Sequence, residues 1–349
     1  MARIAIIPGD GIGTEVTAQA VRVLRALDEA HELGLELVDW DLGADRYLET
    51  GVTITDEEVA ELGSDYDALF LGALGDPRVP GNEHARDILL GLRLRLDLYV
   101  NLRPIRLLRA GDSPLRGADP EALDLVIFRE NTEGSYVGMG GVLRPDTPHE
   151  VAIEEDVSTR VGVERIVRAA FEHARERQLR ITLADKANAM RHAGQLWRKV
   201  FEQVGAEFPE VERSAVYVDA LAMDLVLRPE RYQVIVTSNL FGDILSDLAA
   251  GLVGGLGMAP SANLHPGRVG LFEPVHGSAP DLAGTDTANP FAAVLTAALM
   301  LRYLGHDAAA DRAEAGVVAA LAADATTPDL GGALGTAAVG DWLVKHLRG

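Results

Sequence analysis

The sequence predicts an α/β fold built on a largely parallel sheet, and three features predict it. Short apolar runs alternate with longer stretches of helical periodicity along the whole chain. Several of these runs end in Gly- or Asn-containing turns that lead into a helix. The 349 residues, 48% hydrophobic and 24% charged, exclude a disordered chain and leave room for two domains with substantial cores.

Residues 3–8 form the first apolar run, closed by Gly9, Gly11 and Gly13. Val16, Ala20, Val23, Leu24 and Leu27 then place a helix over 15–27, with Thr14 as its N-cap. Residues 67–71 read as a strand followed by the turn GALGDPRVPG. Further strands are expected over 123–128 and 181–183, and an amphipathic helix over 161–177. Residues 234–237 are a β-branched strand, and a helix follows over 244–252. The final third is Ala-rich and helical, with Pro290 placed near a helix start. The segment 136–153 carries Gly138, Gly140, Gly141, Pro145 and Pro148; its residues alone favour a loop over an extended arm.

With 32 basic and 53 acidic residues the net charge is −21, which argues against a nucleic acid or an anionic membrane as partner. A small anionic substrate needs only a local group of arginines. The chain has no cysteine, so disulfides, thiolate metal sites and cysteine nucleophiles are excluded. No stretch has the apolar length of a membrane span, and the first residues do not read as a secretory signal. These features lead to the expectation of a soluble, cytoplasmic protein.

Six groups of residues carry chemistry. Gly9-Asp10-Gly11-Ile12-Gly13 lies between a strand and a helix, but its spacing is not that of the dinucleotide fingerprint; a tight turn without a ligand fits as well. Asp243 and Asp247 stand four apart on one helix face, where like charges repel unless a hard divalent cation or solvent offsets them. Asp219 follows an apolar run and suits either a metal ligand or a helix N-cap. Lys186 lies beside Asp185 at a strand end, where α/β folds place ligand sites; it suits a base or a surface ion pair. Arg93, Arg103 and Arg129 could converge on a di- or tricarboxylate, with Tyr136 as a proton donor, or form separate salt bridges. The polar loop from Glu273 to Asn289 has the composition to wrap a nucleotide.

Together, PGDGIG (8–13), NLRP (101–104), RENTEGSY (129–136), DKAN (185–188), VDALAM (218–223), NLFGDILSDLAAGLVGG (239–255) and EPVHGSAPDLAG (273–284) resemble the β-decarboxylating dehydrogenases. This family includes the isopropylmalate, isocitrate, homoisocitrate and tartrate/D-malate dehydrogenases, and the resemblance spans essentially the whole chain. It implies a two-domain isopropylmalate-dehydrogenase-like fold distinct from the usual dinucleotide fold. Residues 1–98 plus 254–349 would bind the cofactor, and 99–253 would form the central substrate and dimerisation domain. An arm over about 136–153 would join a homodimer with shared active sites. Asp243 and Asp247 of one subunit, with Asp219 of the other, would hold Mg²⁺ or Mn²⁺. Lys186, again from the other subunit, would help remove the C2 hydroxyl proton, and Tyr136 would protonate the enolate left by decarboxylation. Arg93, Arg103 and Arg129 would clamp the departing carboxylate. Glu273, His276, Gly277, Ser278, Ala279, Asp281 and Asn289 would form the cofactor site, with Asp281 on the adenosine ribose selecting NAD⁺.

Family members read the variable group of the substrate with the segment before Arg93. Leu89 and Leu90 there offer apolar surface suited to an isopropyl group, whose burial is worth roughly 1.5–3 kcal/mol. The isopropylmalate enzymes usually carry an acid a few residues earlier, where this chain has His84, Ala85 and Arg86. RENTEGSY (129–136), PERYQVIV (229–236) and APSANL (259–264) look as much like tartrate/D-malate or homoisocitrate relatives as like isopropylmalate enzymes. Isopropylmalate therefore leads, then tartrate or D-malate, then homoisocitrate. A non-catalytic regulatory subunit is the alternative of a different class, and the complete set of Tyr136, Lys186, Asp219, Asp243 and Asp247 speaks against it.

Overall fold

The computed structural model describes residues 1–348. The first third contains β1 (Ala2–Gly9), α1 (Ile12–His31), β2 (Leu35–Asp39), α2 (Ala44–Thr50), α3 (Asp56–Ser64), β3 (Ala68–Ala73) and α4 (Glu83–Arg95). The middle contains β4 (Val100–Arg106), β5 (Asp124–Glu130), β6 (Gly140–Leu143), β7 (Val151–Glu154), α5 (Arg160–Arg177), β8 (Ile181–Asp185), α6 (Arg191–Gly205), β9 (Arg213–Tyr217), α7 (Val218–Leu227), β10 (Val234–Thr237) and α8 (Asn239–Gly251). The remainder is β11 (Pro260–Leu264), β12 (Gly270–Pro274), α9 (Phe291–Tyr303), α10 (Asp307–Ala322) and α11 (Thr336–Arg348).

Ten strands form one continuous sheet in the order β2-β1-β3-β12-β11-β4-β5-β10-β8-β9. Its flanks are parallel, as strand–helix alternation predicts, but its centre is not. The pairs β12–β11, β11–β4 and β4–β5 are antiparallel. This qualifies the expectation of a largely parallel sheet: a late hairpin, β11–β12, inserts between β3 and β4, and β4 pairs antiparallel with β5, so the direction alternates across the centre. Four hydrophobic clusters follow the same seam. Two draw their fully buried residues from the first 98 residues and from Met258 onward, and two from Val100 to Val253.

Several boundaries differ from the sequence reading. Thr14 does not cap α1; the helix begins three residues earlier than expected, after Gly11, and the Thr14 hydroxyl donates to the Gly11 carbonyl at 3.0 Å. Asp219 is not an N-cap either, since Tyr217 holds that position and Asp219 lies in the first turn of α7. The 136–153 segment is more ordered than a loop. Gly140–Leu143 and Val151–Glu154 pair antiparallel as a hairpin exposed along both strands, with Val142, Leu143, Val151 and Ile153 open to solvent.

Within the middle segment, His173 packs edge-on against Phe128, with ring centroids 5.0 Å apart. Burial, with Arg177 beside it, lowers the imidazole from 6.5 to about 4. Between those values the unfolded chain binds more protons than the native one. The contribution of His173 to stability is therefore complete above pH 6.5 and is lost as pH falls toward 4. Urea unfolding of a His173→Leu variant should show a shallower loss of stability across that window; an unchanged slope would show that His173 is not a source of it.

Candidate active site

The glycine-rich turn after β1 is built for close packing. Gly9 has φ +72° and a Cβ there would fall 1.9 Å from the Ala73 carbonyl oxygen; Gly11 has φ +54° and a Cβ would fall 2.2 Å from that of Ser278. Only glycine fits both the dihedral and the space. Asp10 between them is buried and gathers three segments. Its carboxylate accepts from Ala44 N–H at 2.7 Å and Gly75 N–H at 2.8 Å, and lies 2.8 Å from His84 Nε2. This turn therefore braces the loop after β12, and Ile12 N–H donates to Ser278 O at 2.9 Å.

The charged centre lies where β4 and β5 meet α8. Asn101 and Arg129 are direct cross-strand partners, and Arg103 follows Asn101 by two residues, so all three share one sheet face. Arg129 is buried; its Nε donates to Asn239 Oδ1 at 2.9 Å and its Nη1 to Asp243 Oδ1. A Cβ at Gly242 would lie 2.5 Å from Arg129 Cγ, so the glycine lets α8 lie directly on the arginine stem. Arg103 donates to Asn101 Oδ1 at 2.7 Å, Ser246 Oγ at 2.9 Å and Asp247 Oδ1 at 3.3 Å. Tyr136 donates to Asp243 Oδ2 at 2.7 Å, and Arg129 lies over its ring at 5.1 Å.

Burial alone would raise the Asp243 carboxyl; Arg129, the Tyr136 hydroxyl and Arg103 outweigh it and hold the group below the usual carboxylate range. Asp247 is raised by burial, with Arg103 opposing. Burial and then the bond to Asp243 raise Tyr136, which is a neutral phenol at physiological pH and can supply a proton.

Arg93 joins this centre from α4. Its Nη2 donates to Glu273 Oε1 at 2.7 Å, and both side chains are nearly buried. Glu273, expected as a cofactor contact, thus directs its carboxylate to Arg93. The two leucines of α4 face different ways. Leu90 lines a small cleft with Arg93, Asn131, Thr132 and Tyr136, whereas Leu89 packs against the cluster containing Ile88 and Leu92. A turn of about 100° per helical residue separates them.

Lys186 and Asp219 form a separate pair, with Nζ 2.7 Å from Oδ2. The bond from Lys186 holds Asp219 below the usual carboxylate range. Asp185 is buried, bound by Arg198 Nε at 2.6 Å and Ala187 N–H at 2.8 Å, and so fixes the turn that presents Lys186. Among the described residues, no three His, Asp or Glu side chains gather as a metal-binding group. Asp219 therefore does not join Asp243 and Asp247 within one chain.

In the loop after β12, His276 is half-buried, with Nδ1 3.0 Å from Gly277 O and a buried Nε2 without a partner. Burial lowers this imidazole, leaving it neutral. Ala279 is held at φ +38°, a left-handed strain near Gly277, while Asp281 is exposed. Asn289 is committed elsewhere: its Oδ1 accepts from Phe291 N–H at 2.9 Å at the start of α9, and its Nδ2 donates to Asp329 at 3.0 Å. Sequence reasoning missed Asn101, Asn131, Asn239, Ser246 and Asn263, although each lies inside or beside a quoted motif.

Residues 3–343 match the family described as isocitrate/isopropylmalate dehydrogenase. The chain belongs to that family. Its relatives include the 3-isopropylmalate dehydrogenase of Corynebacterium jeikeium, 50% identical over 99% of this chain and 100% of the relative. That of Thermobifida fusca is 47% identical over 99% and 97%. Among solved structures, isocitrate dehydrogenase from Methylococcus capsulatus superposes with a TM-score of 0.90 at 36% identity, covering 100% of both chains. A β-decarboxylating dehydrogenase from Thermococcus kodakarensis, in its apo form, gives 0.82 at 39% identity, covering 100% of this chain and 96% of the other. The protein is accordingly an NAD-dependent decarboxylating dehydrogenase that uses Mg²⁺ or Mn²⁺. The family's divalent cation fits the donor set here. Asp243 and Asp247 supply hard carboxylate oxygens on one helix face, and their side chains are 37% and 54% exposed, hence reachable. The unpartnered, buried Nε2 of His276 is a polar atom that an incoming cofactor can use.

Proposed function

We propose that the chain oxidises and decarboxylates (2R,3S)-3-isopropylmalate to 4-methyl-2-oxopentanoate and CO₂, a step in leucine synthesis, as a cytoplasmic homodimer with shared active sites. The observation that carries this reading is the convergence of Arg93, Arg103 and Arg129 against Asp243 and Tyr136, with Leu90 at the edge. Relatives named 3-isopropylmalate dehydrogenase at 47–50% identity over nearly the full chain support it.

Each residue then has a task. The three arginines orient the carboxylate that leaves. Arginine and aspartate neutralise each other across the site, so a dicarboxylate and a divalent cation enter as a charge-matched pair. Asp243 and Asp247 of one chain and Asp219 of its partner would hold that cation. Lys186, beside Asp219, helps remove the C2 hydroxyl proton as its neutral amine, having first released its own proton to solvent, and Tyr136 delivers a proton to the enolate carbon. Glu273, His276, Gly277, Ser278, Ala279, Asp281 and Asn289 line or brace the cofactor loop, with Asp281 favouring NAD⁺ by repelling a 2′-phosphate. When bound, NAD⁺ accepts the C2 hydride and the cation polarises the C2 oxygen and stabilises the enolate. Residues 1–98 plus 254–349 form the cofactor domain in this reading, 99–253 the central domain, and the exposed hairpin of 136–153 the dimer arm.

One observation favours a second reading. Leu89 turns into the core, so a single leucine faces the site, and D-malate or tartrate also fits. NADH formation with Mg²⁺ or Mn²⁺ decides between them. The proposal expects 3-isopropylmalate to have the highest kcat/KM among itself, D-malate, tartrate, homoisocitrate and isocitrate; a preference for D-malate or tartrate would overturn it.

A further inference from the structure

Asn263 lies on β11 at the seam where the sheet reverses, directly opposite Asn101 of β4. It is fully buried. Its Nδ2 donates to Leu271 O at 3.2 Å and to Glu273 Oε1 at 2.8 Å. Its Oδ1 accepts from Asn101 Nδ2 at 2.8 Å and Asn131 Nδ2 at 2.9 Å. All four hydrogen-bonding positions of the carboxamide are thus used. Two of them lead to substrate arginines: Glu273 holds Arg93, and Asn101 holds Arg103. The first of these chains runs through β12 to α4, the second through β4.

We propose that Asn263 is a positioning residue that sets the separation of Arg93 and Arg103 in the substrate clamp. The proposal rests on the reading of these arginines as a carboxylate clamp. An amide is required because it donates to a carboxylate on one side and accepts from an amide on the other. Leucine keeps the volume and loses both; aspartate keeps the acceptors and sets a like charge beside Glu273.

The test compares Asn263→Leu and Asn263→Asp with wild type by steady-state kinetics, direct NAD⁺ binding and thermal unfolding. Asn263→Leu should raise KM for the acid about 10- to 100-fold while NAD⁺ affinity stays within about twofold. A merely structural role would lower the folded fraction, and so kcat per total protein, without moving KM. Asn263→Asp is the second variant: its raised KM should improve as pH falls from about 8 to 6, because a shared proton restores a donor toward Glu273. An unchanged KM in either folded variant overturns the proposal. A wild-type preference for D-malate would overturn the isopropylmalate reading alone, and the same KM ratio would then be read with D-malate.

Discussion

Replacing Asp243 by asparagine should lower kcat/KM about 1000-fold or more, a loss of about 4 kcal/mol of transition-state stabilisation. Asp243 is the meeting point of the site: Arg129, Tyr136 and Arg103 all face its carboxylate. The substitution keeps an oxygen for Arg129, which also retains Asn239, so the fold should survive. What it removes is the charge that attracts a divalent cation. The loss should therefore appear as weakened Mg²⁺ or Mn²⁺ activation in kinetics run across metal concentration. Near wild-type activity at low metal would remove Asp243 from the metal site.

Lys186→Ala should lower kcat by about 10²- to 10⁴-fold, with KM for the acid changed by only a few fold. Lys186 is far from the arginine clamp in its contacts: its ammonium lies on Asp219, and its backbone turn is fixed by the Arg198–Asp185 pair. The proposed function gives it proton removal rather than carboxylate binding, so the effect should fall on kcat. Lys186→Arg should not restore the rate, because a guanidinium does not give up its proton in this range. Unaffected turnover by Lys186→Ala would contradict the assigned role.

How far the sequence carried can be judged element by element. The strand at Val234–Thr237 was legible to the residue, because four consecutive β-branched positions flanked by polar ones leave little choice. The helix after it begins at Asn239, five residues before the start expected from the sequence. Asn239 and Gly242 look like turn residues, yet one binds Arg129 and the Glu133 carbonyl and the other gives Arg129 room. The antiparallel centre of the sheet was hidden because β11 finds β4 across more than 150 residues, and no local periodicity records such a pairing. The site divided in the same way. Charged residues with fixed chemistry stood out, whereas buried asparagines carry no periodic signal and become meaningful only once the strands that hold them are neighbours. Leu89 and Leu90 show the limit of adjacency, since the helix turns one of them to the core.

The central claim is that the catalytic set is divided between two chains, because one chain holds Asp243 and Asp247 in one cluster and Lys186 and Asp219 in another. Mixing the Lys186→Ala and Asp243→Asn proteins, unfolding and refolding them together, and measuring NADH formation tests it most directly. Each variant alone should be nearly inactive. A hybrid dimer has one site with both clusters intact and one with neither, so random reassociation should recover about a quarter of the wild-type rate per chain. No recovery, from hybrids shown to have formed, would place the whole catalytic set within a single chain and contradict the account.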